Sequence, residues 1–248
     1  NIFVRTDSGI EKPEDLRGRR VGTPGYGMSS HTWIRGFLQD VYGVKPDEMQ
    51  WIETTKSSDG GKLNSEFAKY FFPKDFPITK GPEGMDESDL LISGKADALV
   101  TAIEPKAYTE GNPTIRRLFP NVRAVEQAYY KKTHVFPIMH VVAVRKDFAD
   151  SNPSLPQALF RMYSKAKQVA YDDLEAAEVL KITLPWENHE LEDTRASMGE
   201  NFWPYGVKAN RKELELVMRY TYEQGLSKRR VEVAEIFHPS TLELVGEA

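Results

Sequence analysis

Residues 19–43, RRVGTPGYGMSSHTWIRGFLQDVYG, carry the densest set of groups suited to holding an anion. The stretch Arg20-Val21-Gly22 runs into a loop containing Gly25 and Gly27, and the hydroxyls of Ser29 and Ser30 stand where a helix opens. The first N–H groups of a helix have no partner within it, and the helix dipole makes that end positive. Thr23, Ser29, Ser30 and these amides therefore form a seat for an anion. The spacing fits neither GxxxxGK[ST] nor GxGxxG, which favours a carboxylate over a nucleotide. The same residues also suit an ordinary strand-to-helix turn with a serine cap. Arg35 lies one helical turn beyond His31 on the same face, so both reach the rim of such a site or both are solvated. Tyr26 offers a hydroxyl or a ring face to a ligand, or packs.

Other chemistry is sparser. The histidines stand at 31, 134, 140, 189 and 238, without HxxxH or HxH spacing. No metal site is therefore expected, although one histidine with carboxylates would still allow an octahedral one. There is no GxSxG elbow and no cysteine, which removes the commonest nucleophile settings. Thr101 and Glu104 follow a strand end, where ligands of open α/β sheets bind. The plain alternative for Glu104 is a solvated loop carboxylate. Trp203-Pro204-Tyr205-Gly206 makes an aromatic wall or a packed corner. Lys228-Arg229-Arg230 reads as a solvated patch.

These groups must be placed by alternating strands and helices. Strand 2–5, a one-turn helix at Pro13–Leu16 and strand 19–22 precede a helix over 29–42. Its apolar residues Ile34, Phe37, Leu38, Val41 and Tyr42 form one stripe. A strand near 50–52, a helix at 86–93 and a strand at 98–101 follow, with a long excursion at 54–84 that includes a short helix at Asn64–Tyr70. This alternation calls for a mostly parallel sheet with covering helices. Phe3-Val4-Arg5-Thr6-Asp7 is echoed by Ala143-Val144-Arg145-Lys146-Asp147, as if two similar strands left and re-entered one lobe through a hinge. Beyond Asp147 the pattern is helical, with helices from Pro153, over Asp173–Leu180 and after Asn210. Their apolar stripe serves a core or a self-association surface.

The 248 residues are 40% apolar and 28% charged, enough for a core. A net charge of −4 argues against a nucleic-acid footprint. No window approaches the roughly 18 consecutive apolar residues of a membrane span. The chain opens on Asn1 directly into a strand, which reads as a piece of a longer protein.

GIEKPEDLRGRRVGTPGYGMSS and LLISGKADALVT resemble the inserted lobe of type 2 periplasmic-binding-protein folds, and VVAVRKDFADSNPSL resembles the return through the hinge. More specifically, VFPIMHVVAVRKD, WPYGVKANRKELE and EQGLSKRRV with IFHPSTLE are similar to the 4,5-dihydroxyphthalate decarboxylase family. The resemblance implies a two-lobed α/β fold. Each lobe is expected to be a mostly parallel sheet flanked by helices, and hinge strands join the two. One lobe would span 8–140, and 1–7 with 141–248 would form the rest. It also implies a preceding βα segment not found in this chain.

Decarboxylating a hydroxylated aromatic acid requires a held and desolvated carboxylate, a proton for the ipso carbon and a partner for the phenol. No organic cofactor is needed, because the ring is its own electron sink. His140, in the IMH motif, is the expected proton donor, since an imidazole can give and recover a proton at neutral pH. A histidine bonded inside a sheet is the alternative. His134, on a loop, is second. Thr23, Ser29, Ser30 and the helix-start amides would seat the carboxylate with Arg35 at the rim of the site, Thr101 and Glu104 would meet the phenol with Glu104 as base, and Tyr26, Trp203 and Tyr205 would face the ring. The partner is a small aromatic carboxylate, with no nucleic acid and no membrane insertion. A cytoplasmic location suits such an enzyme. The rival expectation is a periplasmic solute-binding protein using the same cleft without a proton donor, its export signal lying upstream. A ligand-sensing regulatory domain is a third reading.

Overall fold

The computed structural model describes residues 1–56, 76–176 and 183–246. They divide into two units, Asn1–Val125 with Val217–Val231, and Glu126–Leu216 with Glu232–Ala248. The first is built on β1 (Ile2–Arg5), β2 (Arg20–Thr23), β3 (Gln50–Glu53), β4 (Ile78–Lys80), β5 (Ala98–Val100) and β6 (Ile115–Arg117). Runs apolar at every position, such as Ile2-Phe3-Val4 and Ala98-Leu99-Val100, suit a sheet covered on both faces. The strand order is β4-β3-β2-β5-β1-β6. The first four strands in that order run parallel, and β1 lies antiparallel between β5 and β6. Side-chain alternation sends Ile2, Val4, Ala98 and Val100 to one core cluster and Phe3 and Leu99 to the other.

Helix α1 (Ser29–Tyr42) covers the first cluster with Ile34 and Leu38 and ends where Gly43 takes a φ of 67°. The Gly43 N–H donates to the Gln39 carbonyl, and that left-handed turn lets the Val44 N–H reach the Leu38 carbonyl at 3.1 Å. Helix α2 (Glu87–Ile92) covers the second cluster through Leu91 and is opened by Asp86, whose carboxylate accepts the Asp89 N–H. Helices α3 (Lys106–Thr109) and α4 (Val122–Thr133) follow. Beyond them come α5 (Lys146–Ser151), α6 (Leu155–Glu175), α7 (Glu187–Met198), α8 (Arg211–Glu223) and α9 (Val233–Ile236).

Gly36 is where Tyr220 of α8 meets α1. A Cβ at residue 36 would stand 2.3 Å from Tyr220 Cε2. The ring has no room to retreat, being 1% exposed with its hydroxyl donating to Asp40 at 2.6 Å. Gly36→Ala is therefore expected to cost about 2–3 kcal/mol of unfolding free energy, read from urea midpoints. An unchanged midpoint would show that the ring yields.

Several expectations change. The expected division at 8–140 assigned residues 1–7 to the other lobe. Instead β1 is an inner strand of the first unit, because its apolar residues pair on both sides with β5 and β6. The echoed segment at 143–147 repeats a local fork rather than a strand. Arg5 grips Asp7 at 2.9 and 2.7 Å, and Arg145 grips Asp147 at 3.2 and 2.9 Å. Residues 141–145 form no ladder and leave Val141 and Val142 exposed, since the described residues of the second unit hold no strand for them to pair with. Helix α6 runs unbroken to Glu175, so the separate helix expected from Asp173 starts inside it. The remainder of that helix past Ala176, and the one at Asn64–Tyr70, lie outside the described residues.

Candidate functional site

The parallel strands β2, β3 and β5 all point their carboxyl ends at one edge of the first unit, where Thr23, Glu53, Thr54 and Thr101 stand. The loop from Pro24 to Met28 and the first two turns of α1 complete this edge. Thr23, His31, Thr32, Arg35, Glu53, Thr54, Thr101 and Gln224 are all buried. An ordinary core does not gather that much polarity. The first unit's buried side-chain polar atoms without a partner all belong here, among the described residues: Tyr26 Oη, His31 Nε2, Arg35 Nη1 and Thr54 Oγ1. Such atoms cost free energy unless something pairs them.

His31 is fully buried. Its Nδ1 lies 2.8 Å from the Gly25 carbonyl oxygen, which can only accept, so we assign the ring proton to Nδ1. Thr23 Oγ1 stands 3.0 Å from the same nitrogen. Nε2 is then a buried acceptor. Burial is the main cause that pushes the His31 pKa down to about 4, and the nearby Arg35 charge adds to it, so the ring is neutral at pH 7.

Arg35 is also fully buried. Its Nε donates to Gln224 Oε1 at 2.7 Å, and one terminal nitrogen donates to the Tyr26 carbonyl at 2.6 Å and to Thr32 Oγ1 at 3.4 Å. Gln224 is held in turn by donating to the Thr32 carbonyl at 2.9 Å. The Tyr26 ring covers the guanidinium at 3.7 Å. Among the described residues no carboxylate pairs with Arg35. Burial lowers its pKa to about 10, which leaves it charged at neutral pH. Glu53 accepts the Tyr26 N–H at 3.2 Å, and burial raises its pKa. Tyr26 thus has its carbonyl on a cation and its amide on an acid.

The structure brings Thr23, Tyr26 and Arg35 together, with Ser29 and Ser30 on the first turn of α1 and Thr101 at the end of β5. The serines do not take the cap position that the strand-to-helix alternative would give them. The cap position is Met28, which gives no side-chain bond, and Ser29 is exposed. Tyr26 offers no ring face to a ligand, because its ring is enclosed by Arg35 and by Trp51, with centroids 5.5 Å apart. Burial raises its hydroxyl pKa to about 12. Thr101 Oγ1 accepts the Ile103 N–H at 3.2 Å. Glu104, expected as a base, is the ion-pair partner of Arg117, and this pairing competes with a role as proton acceptor. Glu53, Thr54 and Gln224 were not anticipated. Glu53 closes β3 and Thr54 follows it, as Thr101 follows β5, which is a readable signal; Gln224 is 189 residues from Arg35 and gave none.

The remaining candidates belong to the second unit. His134 is exposed and takes a φ of 51° where α4 ends, its N–H bonded to the Tyr130 carbonyl. His140 is exposed in a segment without helix or strand, and no hydrogen-bond partner meets it among the described residues. Trp203 and Tyr205 flank a groove beside α6. Among the described residues no three His, Asp or Glu side chains are grouped to hold a metal, and no helix is long and apolar enough to cross a membrane.

The fold is of the periplasmic-binding-protein class. The chain superimposes with a TM-score of 0.53 on a periplasmic sulfonate-binding protein from Methylobacillus flagellatus, at 16% identity, covering 96% of this chain and 62% of that one. Residues 1–66 match the family described as NMT1/THI5 like. A 4,5-dihydroxyphthalate decarboxylase of Comamonas testosteroni is 34% identical over 243 residues, spanning 98% of this chain and 73% of the relative. Another, from Pseudomonas putida, is 30% identical over 131 residues, 53% of this chain and 50% of its own length. The chain belongs to the 4,5-dihydroxyphthalate decarboxylase family.

Proposed function

We propose that this protein decarboxylates 4,5-dihydroxyphthalate, releasing carbon dioxide and 3,4-dihydroxybenzoate. The observation that carries the reading is the 34% identity over 98% of the chain to a decarboxylase of that name. The buried edge of the first unit supplies matching chemistry. Arg35 Nη1 is a charged donor with no carboxylate partner among the described residues, and it would hold a substrate carboxylate away from water. The neutral His31 can accept at Nε2 from a phenol hydroxyl, the part first assigned to Glu104. The Tyr26 ring covers the guanidinium at 3.7 Å, so a substrate carboxylate would reach Nη1 only when that ring swings aside.

Release of carbon dioxide from 4,5-dihydroxyphthalate above a buffer blank tests the reading. Thermal stabilisation by the same acid without release would instead make the protein a binding protein. His140→Ala is expected to lower kcat about 10²-fold, and unchanged turnover would exclude it as the proton donor.

A further inference from the structure

The second unit holds an open groove of about 340 Å³ between α6 and the segment 201–205, with Tyr163 and Trp203 partly exposed at its mouth. That volume suits a small ligand. Its walls are mostly aromatic: Tyr163, Tyr171, Phe202, Trp203 and Tyr205, with Lys167 among them. Tyr171 stacks on Phe202 with centroids 4.7 Å apart, and its hydroxyl accepts the Trp203 N–H at 2.9 Å, so the wall is braced.

Lys167 is the unusual member. It is 6% exposed, and its Nζ donates to Asn201 Oδ1 at 2.8 Å. The ammonium lies 5.0 Å from the Tyr171 centroid and 5.5 Å from that of Tyr205. Among the described residues no carboxylate comes within ion-pair distance of it, and burial lowers its pKa. A buried ammonium balanced only by an amide oxygen and ring faces is incompletely compensated. An anion arriving in the groove would complete it.

We infer that this pocket binds an aromatic monocarboxylate, its ring against the tyrosine and tryptophan walls and its carboxylate on Lys167 Nζ. The rings select a flat ligand by stacking. The lone cation selects one carboxylate, because a second would enter an apolar wall unpaired. The lining alone carries this ligand class. Only the choice of 3,4-dihydroxybenzoate as a probe rests on the proposed reaction.

Calorimetric titration of the full chain with benzoate and with 3,4-dihydroxybenzoate tests it. Both are expected to bind, and catechol, which lacks the carboxylate, to bind at least about tenfold more weakly. Lys167→Met should weaken the acids by about tenfold or more, while Lys167→Arg, which keeps the charge, should stay within about threefold. The absence of binding, or acid binding unaffected by Lys167→Met in a folded variant, overturns the inference. Benzoate binding that depends on Lys167, without carbon dioxide release from 4,5-dihydroxyphthalate, would sink the decarboxylase reading and leave this one standing. Release of carbon dioxide without any Lys167-dependent acid binding would do the reverse.

Discussion

Arg35→Lys is expected to lower kcat/KM for 4,5-dihydroxyphthalate by about 10³ while the chain stays folded. Lysine keeps a cation and most of the stem but presents a point charge where arginine presents a planar fork. In the native site two arms of that fork are occupied, one by Gln224 Oε1 and one by the Tyr26 carbonyl, and Nη1 is the arm left over. The three N–H groups of an ammonium radiate from one nitrogen and cannot span acceptors met by separate arms of the arginine fork while also meeting a substrate carboxylate. The structural penalty is one buried acceptor left without a donor, about 1–3 kcal/mol. The catalytic penalty is larger, because a charge-assisted bond in a water-excluded site is lost. Steady-state kinetics beside a thermal melt separate the two. A kcat/KM within tenfold of the parent, in a folded variant, would remove Arg35 from the site.

The second large effect is on stability in mild acid. His31 has a pKa of about 4 in the folded chain against 6.5 as a free imidazole. Because the folded value is the lower one, the unfolded chain takes up a proton first as pH falls. The contribution to stability is therefore complete above about pH 6.5 and is lost progressively between 6.5 and 4. Over that interval it amounts to about 3 kcal/mol. His31→Asn removes the titration while its side-chain amide can still donate to the Gly25 carbonyl. Urea unfolding of parent and variant across this range should give a difference that narrows as the pH falls. A difference that stays constant would show that His31 is not held neutral by burial.

Much of the first unit was legible because its signals are local. The unbroken apolar runs of β1 and β5, the stripe on α1 and the glycine that ends it each depend on a few consecutive residues. The anion-seat reading falls on residues 19–43, the loop and helix start around which buried polar groups gather, but the serines it names are not among those buried groups. Serines beside a helix start look like caps, yet Met28 takes the cap position and Ser29 faces solvent. The sequence puts His31 and Arg35 either at a site rim or in solvent, whereas both are fully buried. Periodicity places them on one face of a helix but does not say what packs over that face.

By itself the sequence determined the family, the alternation of strands and helices, and the loop around which the polar groups gather. Family motifs and hydrophobic periods are properties of short segments, and they survive without knowledge of their neighbours. Only the tertiary structure decided that β1 is an inner strand of the first unit, that Glu104 is tied to Arg117, and that Gln224 reaches Arg35 across 189 residues. It also decided that Lys167 is buried among rings without a carboxylate partner among the described residues. Burial and charge pairing depend on which distant segments meet, and that is settled by packing rather than by local pattern.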